Sequence, residues 1–156
     1  MNKISLLFIL SVLITFSAYA QDDIKITHAP YLQNLGENEV TVVWTANKPS
    51  IGWVELAPDD GTHYYQTERP KFFNAKNGIK LTSTVHSVHL TGLKPGTRYR
   101  YRVYSQEVLS HVGWRVIYGN VAATSVYGKQ PLTFLTSDHG RQSVNFAMVN
   151  DIHGKK

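Results

Sequence analysis

The stretch Leu93-Lys94-Pro95-Gly96-Thr97-Arg98-Tyr99-Arg100-Tyr101-Arg102-Val103 decides the fold of this chain. Pro95-Gly96 is a turn signal, and the residues after it alternate in character as those of a strand do. Tyr99 comes just past the turn, where its hydroxyl can reach back to the upstream backbone. Because this arrangement is the tyrosine corner of two-sheet Greek-key sandwiches, the stretch predicts an all-β sandwich.

The residues on both sides of the corner read as further strands. Glu39 to Thr45 alternates between two faces, with Trp44 as an anchor of the core. Turn signals recur about every ten residues and no amphipathic helical period is present, which indicates one β-sandwich from about Ile24 to Thr136. Val40 and Val42 share a face with Trp44, and Val54 and Leu56 are predicted to point inward. His86 shares a face with Val88 and Leu90.

Other segments between the turns are less regular. Asn47-Lys48-Pro49-Ser50 is expected to break the strand that contains Trp44, and Thr62 to Glu68 reads as a short strand. Arg69 to Lys80 is predicted to be a loop or a ragged edge strand. Ser105 to Gly128 reads as irregular because its aromatic residues stand among glycine and small residues, whereas Pro131 to Thr136 reads as a final strand.

Arg98, Arg100 and Arg102 alternate with apolar residues in the strand after the corner. A nucleic-acid interface would place aromatic rings beside such a basic stripe, but the intervening tyrosines should point to the opposite face. We therefore predict that the arginines form a solvated outer face and that the chain binds no nucleic acid.

The first twenty residues have the pattern of a signal peptide. Lys3 supplies the positive charge, Ile4 to Phe16 is apolar, and Ala18-Tyr19-Ala20 fits a cleavage site before Gln21. The alternative is an uncleaved membrane anchor, although the run is short for a bilayer span. We expect residues 1–20 to be removed, no stable anchor to remain, and the protein to be exported to the periplasm, the cell surface or the medium.

The composition excludes several kinds of site. The 156 residues contain no cysteine, so disulfides, thiolate metal sites, a cysteine nucleophile and a lipoprotein anchor are absent. The formal net charge of +5 is spread along the chain and forms no block. Removal of the signal peptide still leaves enough chain for a core without covalent staples.

The C-terminal residues form a second unit in this reading. Residues 137–143 are a polar linker, and Val144 to Val149 is a nearly continuous apolar run typical of a strand covered on both faces. Asp151 and His153 follow it directly, and residues two apart in an extended chain point the same way. Residues 144–156 are therefore predicted to begin an α/β domain with a carboxylate and an imidazole at one site.

Together these motifs resemble a purple acid phosphatase N-terminal domain. The resemblance rests on Pro30-Tyr31-Leu32-Gln33, on the Val-x-Val-x-Trp strand, on the tyrosine corner and on Asp151-Ile152-His153-Gly154. It implies a fibronectin type III-like sandwich placed before a calcineurin-like metallophosphoesterase domain in an exported bacterial protein. It also implies that the sequence is truncated just after the first metal motif of that domain.

The same resemblance implies the chemistry. Asp151 and His153 would be metal ligands, and two Fe, Mn or Zn ions would activate water against a phosphate ester. Asn150 stands where the family often has glycine, and His153 favours the general metallophosphoesterase form over the purple one. No residue of this chain is predicted to be catalytic by itself, because two ligands cannot hold a metal pair; the chain alone should bind metal weakly and lack activity.

Two other functions remain open. The chain could be a stand-alone module that binds glycan or protein through exposed Trp53, Trp114 or tyrosines, or a truncated product without activity. The remaining histidines favour no metal site, since His86 and His89 should face opposite sides of their strand. Those in or near loops read as ordinary surface residues: His63, His111 and His139.

Overall fold

The structure is a computed structural model that describes residues 22–124 and 130–140. Within these residues the chain forms nine β-strands and no helix. The strands are β1 (Ile26–Gln33), β2 (Glu39–Pro58), β3 (Lys71–Phe73), β4 (Ala75–Lys76), β5 (Ile79–Lys80), β6 (Thr82–Thr91), β7 (Arg98–Val112), β8 (Arg115–Ala123) and β9 (Leu132–Leu135). The described part of the chain contains no helix long and apolar enough to cross a membrane. The predicted signal peptide lies outside the described residues.

Strand β2 belongs to both layers of the sandwich. Its first half pairs with β1 and β6, and its second half pairs with β7 and β3, all antiparallel. The register with β6 shifts between Thr45 and Ser50. The predicted break at residues 47–50 is therefore the place where one long strand passes from one layer to the other, since Pro49 and its neighbours disturb the pairing without ending it.

The core lies between the two layers. Trp44 is fully buried, as predicted, and the valines and leucines of both halves of β2 pack with those of β6 and β7. The cluster consists of Val40, Val42, Trp44, Val54, Leu56, Val88, Leu90, Leu93, Tyr101, Val103 and Phe134. Burial of each large aliphatic side chain contributes about 1.5–3 kcal/mol, so this cluster is the main source of stability.

The tyrosine corner is present as the sequence predicted. The backbone N–H of Lys94 donates to the Tyr99 hydroxyl oxygen at 2.9 Å. The Tyr99 ring stacks on Phe134 of β9 with centroids 5.5 Å apart. The all-β, fibronectin type III-like sandwich is thus the observed fold, and the corner joins β6 to β7 across it.

Two ends of the sandwich can be distinguished by chain direction. The N-terminal pole contains residues 22–25, where the Asn47 N–H donates to the Lys25 carbonyl at 3.1 Å, together with the turns of β4–β5 and β7–β8. The C-terminal pole contains the β1–β2 turn, the tyrosine corner and residues 136–140, where the Ser137 N–H donates to the Gly36 carbonyl at 2.9 Å. The chain therefore enters the sandwich at one pole and leaves it at the other.

Three sequence predictions about strands need correction. Thr62–Glu68 is a compact series of turns, because Tyr64 packs inward instead of continuing a ladder. The segment after Ser105 is regular: β7 continues to Val112 and β8 runs back beside it, with two register shifts that hide the alternation in the sequence. Arg69–Lys80 contains β3 and a tight β4–β5 hairpin, in which Asn77 and Gly78 both have positive φ, 51° and 79°, as in a type I′ turn.

Candidate functional site

The predicted metal ligands Asp151 and His153, and the apolar run before them, lie outside the described residues. The structure shows instead how the chain leaves the sandwich. The Thr136 hydroxyl donates to the Lys94 carbonyl at 2.6 Å, and the Thr97 N–H donates to the Thr136 oxygen at 2.9 Å. Because these bonds fasten β9 to the tyrosine corner, whatever follows residue 140 starts from a fixed point at the C-terminal pole.

A metal centre is not completed by the described residues, which contain no group of three or more histidine, aspartate or glutamate side chains able to hold an ion. The exposed pairs His89–Glu39, at 3.4 Å, and His139–Glu37, at 3.0 Å, offer two donors each. A carboxylate and an imidazole at 151 and 153 have the right ligand chemistry for Fe, Mn or Zn. Those two donors are too few for a metal pair.

A buried, hydrogen-bonded polar cluster surrounds His86 on β6. Asn74 Nδ2 donates to His86 Nδ1 at 3.4 Å, so the proton of the neutral ring lies on Nε2, which is 2.9 Å from Ser50 Oγ. The Ser50 hydroxyl in turn donates to the Ser83 carbonyl at 3.3 Å. The Trp44 ring covers the imidazole at 5.0 Å, and burial lowers the pKa of His86 to about 4.

This serine–histidine–asparagine cluster is structural. A nucleophile must give its proton to the imidazole, but here the imidazole donates to Ser50 and the hydroxyl proton points to a carbonyl. Ser50 and His86 are both fully buried, so no substrate reaches them. Nor does His86 chelate with His89, which is exposed on the other face of the strand, as the spacing predicted.

The outer face of β7 differs from the prediction. Arg98 is exposed, but Arg100 and Arg102 are buried. The segment of residues 59–69 folds over them: Arg100 Nε donates to the Pro58 carbonyl at 2.8 Å, and the Arg102 guanidinium lies 5.3 Å from the Tyr64 ring centroid. The solvated-face prediction is wrong for these two arginines, since alternation shows only that they leave the core and not what covers them.

A hydrogen-bonded chain of tyrosines continues this cover. The Tyr104 hydroxyl donates to Glu55 Oε2 at 2.8 Å and lies 3.0 Å from the Tyr65 hydroxyl. Burial, followed by the hydrogen bonds to Tyr65 and Glu55, raises the pKa of Tyr104, and burial likewise raises the pKa of Tyr64. Tyr64 and Tyr104 therefore stay protonated as donors, and the cluster closes the outer face.

A cleft of about 640 Å³ remains at the rim of this cover. Its charged lining combines Arg100 and Arg102 with Asp59, and Asp60 accepts from Arg100 at 3.1 Å. The Thr62 hydroxyl is the main cause of a lowered pKa at Asp60. Because the Arg100 guanidinium pairs with both Asp59 and Asp60, these contacts hold the start of the segment 59–69 against β7.

Comparison with known proteins identifies the domain. The model of the family "Purple acid Phosphatase, N-terminal domain" matches residues 28–118. The chain belongs to this family. The matched part of the purple acid phosphatase N-terminal domain runs from β1 into β8 and includes the two-layer β2, the His86 cluster and the tyrosine corner.

Two other comparisons complete this result. A solved structure of a β-sandwich protein redesigned by computer shares 19% identity, with a TM-score of 0.43, over 74% of this chain and 96% of that chain. The comparison with curated proteins gave no match. The fold assignment rests on the strand pairing described above.

Trp53 and Trp114 were both predicted as exposed binding residues, and they differ. Trp53 is buried and stacks on Tyr104, with centroids 5.1 Å apart and planes 3° from parallel. Trp114 is fully exposed at the turn between β7 and β8. The prediction for Trp53 is wrong because β3 and Tyr104 cover that side of the sheet; Trp114 remains a candidate contact.

Proposed function

We propose that this chain is the N-terminal accessory sandwich, together with the first metal-ligand motif, of an exported metal-dependent phosphoesterase. The family match over residues 28–118 carries this proposal. The firm attachment of residues 136 and 137 to the C-terminal pole supports it, because a following domain would be held at a defined position.

The sandwich and the metal motif would have different roles. Ser50 and His86 are buried in structural hydrogen bonds, so this pair would not attack a phosphate ester. A bound metal pair would supply the activated water. Asp151 and His153 would contribute one carboxylate and one imidazole to that pair, and a domain beyond them would contribute the rest.

An activity comparison tests the proposal. The 156-residue chain should show no turnover of p-nitrophenyl phosphate with added Mn²⁺ or Zn²⁺, whereas a protein extended by the downstream coding sequence should be active. In the extended protein, Asp151→Asn or His153→Asn should reduce kcat/KM by more than about 100-fold, beyond the loss typical of residues that only hydrogen-bond to a metal ligand. Metal content measured on the same samples should fall in parallel.

The sequence provides a matched control in Asp138-His139-Gly140, a similar triplet only thirteen positions upstream. Asp138→Asn and His139→Asn should leave activity and metal content unchanged, since Asp138 caps its own turn at Gly140 and His139 is exposed. Turnover by the 156-residue chain, or full activity after both ligand substitutions, would contradict the proposal.

A further inference from the structure

The β7–β8 hairpin extends past the rest of the sandwich. Pairing between β7 and β2 ends at Glu107, and the residues from 108 to 112 continue for about 16 Å with only β8 beside them. At the tip, Gly113 has a φ of 58° and Trp114 does not share the positive φ, as in a type II′ turn. The turn therefore holds Trp114 at the apex of the molecule.

The apolar residues of this hairpin are not needed by the core. Trp44 and Trp53 are buried, whereas Trp114 is completely exposed and Val112 is 73% exposed. Several exposed apolar side chains on one projecting hairpin indicate a candidate contact surface. The exposed apolar side chains of the hairpin are Leu109, Val112, Trp114, Ile117, Tyr118 and Val121.

The β4–β5 hairpin projects from the same pole. It joins the end of β3 to the start of β6, and its Ile79 is 69% exposed. Lys76 and Lys80 stand on either side of its turn. Neither residues 75–80 nor residues 108–118 contain an aspartate or glutamate. The β7–β8 hairpin carries Arg115 and His111 near its tip. The two tips thus combine apolar and positive side chains without a negative charge.

The start of the described chain lies at this pole too. Asn120 Nδ2 of β8 donates to Asp23 Oδ1 at 3.2 Å. The apolar run Ile4 to Phe16 precedes this point in the sequence. Residues that follow position 140 begin at the opposite pole, about 45 Å away along the length of β7. The hairpin tips therefore face the side on which the chain enters, and a domain attached after residue 140 starts far from them.

We propose that the two hairpin tips of the N-terminal pole rest on an anionic lipid bilayer. Trp114 and Val112 would enter the interfacial region, where tryptophan is favoured because it has an apolar body and a polar N–H. Lys76 and Arg115 would lie against the negative headgroups. The contact is reversible and peripheral, it points the C-terminal pole away from the lipid, and it is independent of the proposed phosphoesterase activity.

Vesicle binding tests this inference. The protein is used from Gln21 onward, because the described residues contain a complete core and the run Ile4 to Phe16 would bind bilayers by itself. With vesicles of phosphatidylcholine and phosphatidylglycerol, the protein should co-float and its tryptophan emission should shift to the blue. Trp114→Ser should lower the partition coefficient at least about tenfold, and each positive charge removed at Lys76 or Arg115 should lower it about fivefold.

Substitutions at the opposite pole serve as matched controls. Leu35→Ser removes an exposed apolar turn residue, and Lys94→Glu reverses an exposed charge; both should leave binding unchanged. Thermal unfolding should be the same for Trp114→Ser as for the parent, because the side chain contacts water only. Absence of vesicle binding, or equal binding by Trp114→Ser, would overturn the proposal. So would a parent protein that sediments as a dimer without binding vesicles, if Trp114→Ser made it a monomer.

Discussion

Strand β2 buries two tryptophans on its opposite faces. Trp44 lies between the two layers, where its Nε1–H donates to Ser105 Oγ at 2.9 Å. Trp53 lies on the outer side between Phe73 and Tyr104, and its Nε1–H has no hydrogen-bond partner among the described residues. The indole N–H is therefore hydrogen-bonded on the inner face of the strand, whereas on the outer face it has no partner among the described residues.

The difference extends to the two faces as a whole. The inner face is mainly apolar, apart from the His86 cluster and Ser105, and is sealed by a second layer of sheet. The outer face is covered by the short segment 59–69, which is held by arginine, tyrosine and carboxylate side chains. Burial alone therefore does not reveal the source of stability: the inner face gains from removal of apolar area from water, and the outer face gains from satisfied polar groups.

The largest expected effect separates the two tryptophans. Trp44→Ala should lower the free energy of unfolding by about 4 kcal/mol, because it leaves a cavity and an unpaired Ser105 hydroxyl. Trp53→Ala should cost about half as much, since it also removes a buried N–H that lacks a partner. Urea unfolding monitored by circular dichroism measures both values. Equal losses would show that the outer cover packs as tightly as the core.

The next effect comes from the His86 cluster inside the inner face. A histidine in the unfolded chain binds a proton near pH 6.5, whereas the folded protein resists protonation of His86 down to about pH 4. Stability present above pH 6.5 should therefore be lost as the pH falls toward 4, by about 3 kcal/mol in total. The lowered pKa of Asp60 contributes only below its usual value of 3.8, outside this window.

Unfolding measured at intervals between pH 7 and pH 4 tests the His86 assignment. In His86→Gln the slope over this window should become shallow, whatever the absolute stability of the variant. His89→Gln is the control, because His89 is exposed on the same strand and should leave the slope intact. If the free energy of unfolding of the parent protein did not change between pH 7 and pH 4, the assignment of a buried neutral imidazole to His86 would be wrong.

The two faces differ in how much of their structure could be predicted from the sequence. The core was predicted because alternation and β-branched residues report which side chains leave water, and the corner was predicted because Pro95-Gly96 fixes the position of Tyr99. The burial of Arg100 was missed, since its cover comes from residues some forty positions earlier and no local period records it. The hydrogen bonds of His86 were missed for the same reason, although the sequence placed it on the same face as Val88 and Leu90. The predicted site at Asp151 and His153 stays a prediction.

The smallest effect tests the outer face directly by comparing two neighbouring arginines. Arg100→Met should lower the free energy of unfolding by about 2 kcal/mol, because the carbonyls of Pro58 and Thr62 lose a charged donor. Arg98→Met, on the same strand and face but exposed, should change it by less than about 0.5 kcal/mol. Hydrogen exchange should also show earlier opening of residues 59–69 in the Arg100 variant alone. Equal small losses would restore the solvated arginine face that alternation predicted, and the cover would then be a loop that closes without adding stability.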